Sequence, residues 1–161
     1  MPSNKAADLI QELASYYGSI SVGNGYFNTI AINGLVYGEE SFNEKQFGDS
    51  DYPRVKIITN QLIIPEFSTK SCSKTALEII VHGYLRKEGN RETGLLSYID
   101  TLNWAKDLRD AFRAYLNGQD GGDVDADLEN SEIQQQIGYG MNTVTVSSTF
   151  TLSFDEKLGV N

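Results

Sequence analysis

The chain has 161 residues, 40% of them hydrophobic and 22% charged, with 15 Gly and 3 Pro. That is the length of one domain, enough to bury roughly 68–70% of the unfolded surface, and the composition excludes a disordered or collagen-like chain. Apolar runs such as Leu62-Ile63-Ile64 and Ile79-Ile80-Val81 fall far short of the roughly 20 residues of a membrane helix. The N-terminal segment, with Lys5 followed by Asp8 and Glu12, lacks the basic-then-apolar pattern of a signal peptide, so synthesis in the cytoplasm is expected. A single cysteine, Cys72, cannot close an internal disulfide, and a single histidine, His82, argues against zinc or haem. No cofactor is expected.

The net charge of −9 is concentrated in two places. Glu39 to Asp51 carries five acids against Lys45, a net of −4, and Asp120 to Glu132 carries six acids and no base, a net of −6. The rest of the chain is therefore at +1. An acidic chain is repelled by a phosphate backbone, so specific or nonspecific nucleic-acid binding is not expected. A small basic excess between Lys70 and Arg91 reads as a solvated strand end or a face for an acidic neighbour.

In chain order, Ala6 to Tyr17 places Leu9, Leu13 and Tyr16 on one stripe, after Ser3 or Asn4 as N-cap and before Gly18 as C-cap, and predicts a first helix. Ile20 to Tyr37 is β-branched and aromatic, with turn signals at Gly23-Asn24-Gly25 and Asn33-Gly34, and predicts one or two strands. Glu39 to Asp51 has no sustained period and reads as a long acidic loop around Phe42 and Phe47. Pro53 to Ile57 opens a strand, whereas Gln61 to Thr69, which contains Pro65, is at best an edge or connecting segment.

Thr75 to Leu85 alternates: Leu77, Ile79, Val81 and Leu85 on one face, Glu78, Ile80, His82 and Tyr84 on the other. Gly94 to Asn117 predicts a long helix with a buried stripe through Leu95, Ile99, Leu102, Ala105, Leu108, Phe112 and Tyr115 or Leu116, ended by Asn117-Gly118. The acid-rich stretch near 118–136 reads as a second loop. From Thr143 to Phe154 the even positions are apolar but for Ser148 and the odd ones are all Thr or Ser, which predicts a strand of roughly 40 Å buried on one side only. The expected fold is a single α+β domain over residues 1–161. It has a mostly antiparallel sheet of about four to five strands and two main helices packed on one face.

Catalytic chemistry is not legible. A serine hydrolase needs a base beside its nucleophile, and His82, the one imidazole, falls in mid-strand with no Gly-x-Ser-x-Gly elbow in the chain. Cys72 falls in a connecting segment with nothing near it in sequence to lower its pKa. Asp123, Asp125 and Asp127 alternate like the start of a calcium loop and are the weak metal candidates. The glycine and glutamate that such a loop requires are replaced by Leu128 and Gln134, so a solvated acidic loop is the plainer reading. A metal-dependent hydrolase built on these acids is the remote alternative. No Gly-x-x-x-x-Gly-Lys-[Ser/Thr] loop supports phosphoryl transfer.

Taken together, Asp51-Tyr-Pro-Arg-Val-Lys-Ile57, Thr75 to Leu85, the helix through Leu95-Leu96 to Leu116, and Val144 to Phe154 resemble in pattern and order the tail terminator proteins of long-tailed bacteriophages. The resemblance spans nearly the whole chain and includes no diagnostic motif. It implies a structural virion protein, not an enzyme. Such a protein forms a ring, a hexamer, on the head-proximal end of the tail tube and ends tube polymerisation. The partners implied are further copies of the chain, the tail tube protein and a head completion or neck protein. DNA would pass through the ring past acidic loops that repel it, and no membrane is involved. A head-tail connector, a tail completion protein and a cellular adaptor domain are the other readings. The interface candidates are Phe42, Phe47, Glu39 and Glu40 in the first acidic stretch and Asp123, Asp125 and Asp127 in the second.

Overall fold

The computed structural model describes residues 4–30, 35–37, 52–67, 72–88, 94–119, 124–137 and 141–157. Helix α1 spans Lys5–Gly18 and α2 spans Gly94–Asn117. The strands are β1 (Leu35–Tyr37), β2 (Arg54–Phe67), β3 (Cys72–Glu88), β4 (Val124–Ile137) and β5 (Met141–Lys157). They form one sheet in the order β1-β2-β3-β5-β4, antiparallel except for the short parallel pair β1 and β2. Because β3 and β4 both run antiparallel to β5, they are parallel to each other. Helix α2 connects them as a β-α-β unit split by the inserted β5.

Helix α1 begins where the Asn4 side chain accepts a hydrogen bond from the Ala7 N–H at 3.1 Å, which satisfies one of the orphan donors of a first turn. It ends one residue beyond the expected glycine, at Ser19, whose N–H reaches the Tyr16 carbonyl. Among the described residues, the predicted strands between Ile20 and Tyr37 reduce to β1. Before it the chain makes a 3-10 turn at Val22–Asn24, closed by Gly25 at φ +89°, a conformation that favours glycine. The Phe27 and Asn28 backbone N–H groups find a carboxylate instead of a strand partner. Asp107 of α2, 1% exposed, accepts from both at 2.9 Å and from the Asn28 side-chain amide at 2.9 Å.

The two stronger strand predictions hold and lengthen. β2 runs through Pro65, which lies in a register irregularity between Ile63 and Glu66 and beyond the reach of β1, on an edge as proline requires. Cys72 is the first residue of β3 and not part of a connecting segment. The stretch near 118–136, expected as a loop, is overturned over most of its length: from Val124 onward it is β4, paired with β5. The alternation Val124, Ala126, Leu128 supplies an apolar residue at every second position, with Val124 buried and Ala126 packed against the core. β5 supplies the template.

The core lies between the helices and one sheet face. Leu77, Ile79 and Val81 of β3 and Val144, Val146 and Leu152 of β5 are buried beneath Trp104, Leu108, Ala111, Phe112 and Tyr115 of α2 and Leu9, Leu13 and Tyr17 of α1. Phe112 stacks on Phe150 with centroids 3.8 Å apart, and Tyr16 meets Tyr115 edge-on at 5.9 Å. Burial pushes the Tyr17 and Tyr115 hydroxyls well above the usual tyrosine range. Trp104 and Leu108 rest on Gly83, where an added Cβ would meet Leu108 Cδ1 at 2.3 Å and Trp104 Nε1 at 2.9 Å. The predicted helix stripe is therefore corrected. Ile99 and Leu102, expected in the core, are 48% and 47% exposed, while Trp104, Asp107 and Ala111, outside the expected stripe, are buried beside the expected Leu108, Phe112 and Tyr115. Neither described helix is long and apolar enough to cross a membrane.

Candidate interaction face

The second face of the sheet carries the chemistry, and strand register builds it row by row. Arg54, Tyr84 and Thr145 stand side by side on β2, β3 and β5, then Lys56, His82 and Ser147, then Ile58, Ile80 and Thr149, then Gln61, Glu78 and Thr151. Successive rows lie two residues apart, about 6.7 Å along the strands. β5 thus presents a hydroxyl ladder from Thr145 to Ser153 whose members are all half-buried. The predicted one-sided burial of the last strand holds in this form.

One end of the face is cationic and aromatic. The Arg54 guanidinium lies 5.5 Å from the Tyr84 ring centroid and that of Arg86 lies 5.6 Å from Tyr52, both within cation–π range. Arg54 is buried, so its charge is held in a low-dielectric position. His82 Nδ1 is 2.6 Å from Ser147 Oγ. Burial, and then the positive charge of Lys56, hold the imidazole below its ordinary range, so it is neutral at pH 7 and can accept the Ser147 proton in a hydrogen bond. A neutral imidazole on a hydroxyl is half of a nucleophile arrangement. Acyl transfer also needs donors aimed at the developing oxyanion. Both strands are paired on both sides, so their backbone N–H groups are engaged in the ladders. The geometry is that of a hydrogen bond locking adjacent strands.

Glu39, Glu40, Phe42, Phe47 and Asp123 lie outside the described residues. Asp125 and Asp127 fall in β4, opposite Ser153 and Thr151 of β5. An extended, paired backbone does not curl around an ion as a calcium loop does, which corrects the loop reading for these two. Among the described residues, no three His, Cys, Asp or Glu side chains gather closely enough to hold a metal. Two features escaped the sequence reading. The Arg54, Lys56 and Arg86 array was visible only as period-two spacing on two strands whose register was unknown. The Asp107 anchor was visible only as an acid on the buried stripe of α2.

No family model matches the chain, and no curated protein matches it. Among solved structures, the chain is similar to one in a structure titled "Virion of native gene transfer agent (GTA) particle", at 10% identity and a TM-score of 0.36, over 90% of this chain and 91% of that one.

Proposed function

We propose that this chain is a structural virion protein, a tail terminator. It assembles with copies of itself into a ring on the head-proximal end of a tail tube, stops tube growth, and offers its outer surface to the neck. The observation that carries the reading is a sheet whose two faces differ. One is covered by α1 and α2, and the other sets the Thr and Ser hydroxyls of β5 beside Arg54, Lys56, Glu78 and His82, with Ile58 and Ile80 among them, across β2, β3 and β5. Such a face suits a wet, adaptable contact or the wall of an aqueous passage. Elements β2, β3, α2 and β5 cover the segments that carry the sequence resemblance, while the acidic loop expected between α2 and β5 is largely β4.

The test is disruption of the gene in its source genome, followed by electron microscopy of the lysate with tail length and head attachment counted. Overlong tails of variable length without heads are expected. Normal-length tails that fail to join heads would make the protein a connector or completion protein, and unaffected particles would overturn the virion reading.

A further inference from the structure

We draw no further inference here: the strongest candidate, the open apolar groove between the first turns of α1 and strands β2 and β3, lined by Ile10, Leu62 and Leu77 among others, carries none because nothing in the structure shows what occupies it.

Discussion

On one face of β3, Leu77, Ile79, Val81 and Leu85 are at most 2% exposed, while on the other Glu78, Ile80, His82 and Tyr84 are only half-buried. The backbone and the neighbouring strands are the same for both sets. What differs is the layer above: α1 and α2 cover one side, and no described helix covers the other. The apolar core is therefore confined to one face. The second face carries polar contacts, among them His82 on Ser147 and Arg54 on Tyr84, a division that half-covered antiparallel sheets permit.

The largest effect belongs on the covered side. Trp104→Ala removes the largest fully buried side chain and is expected to cost about 3–5 kcal/mol in urea unfolding. A loss below about 1 kcal/mol would move the centre of the core elsewhere. Asp107→Ala deprives the Phe27 and Asn28 donors of their acceptor and is expected to cost about 2 kcal/mol. Amide exchange at Phe27 and Asn28 should quicken with it, and unchanged protection there would mean that the turn is held by something else. Gly83→Ala pushes a methyl into Leu108 and Trp104, with an expected loss of about 1–3 kcal/mol. On the open face, Thr149→Ala should shift stability by no more than about 0.5 kcal/mol. A cost comparable to that of Gly83→Ala would erase the contrast between the faces.

The smallest effect is in pH. The His82 imidazole is held below its ordinary value of 6.5 in the folded chain, so the unfolded chain takes up the proton first as pH falls. Stability should therefore be fully present above about 6.5 and decline below it, until the folded imidazole also protonates. His82→Gln should flatten that limb of a stability–pH profile, and an unaltered slope would place its origin in the carboxylates.

Much of this architecture was legible in the residues. β3 and β5 alternate without interruption, and α2 keeps its period from Gly94 to its end at Asn117, so element type and extent came through. What failed did so for one reason: the deciding partner is remote in sequence. The acids at Asp125, Asp127 and Glu129 speak locally for a loop, but thirteen registered pairs with β5 hold the segment as a strand. The β-branched stretch after Ile20 speaks for strands, but its backbone donors at Phe27 and Asn28 are claimed by a carboxylate 80 and 79 residues away. Ile99 and Leu102 fit a core stripe by spacing alone. The helix instead turns Trp104 toward Gly83, the one position on that part of β3 with room for an indole. Of the candidate site, composition revealed the charge segregation and the hydroxyl ladder. The pairing of basic with aromatic side chains needed the register of β2 on β3.

The β3–β5 pair has a mechanical consequence. Its 17 residue pairs run from Cys72 opposite Lys157 to Glu88 opposite Met141 without a register shift, while β2 and β4 on either side each contain irregularities. Pulled lengthwise in opposite directions, such a pair shares the force among all its cross-strand hydrogen bonds at once; pulled sideways from one end, it yields a bond or two at a time. The domain is consequently a strut with a preferred loading axis, strong along β3 and β5 and weak across them, and any assembly that aligns those strands with its direction of tension inherits that strength.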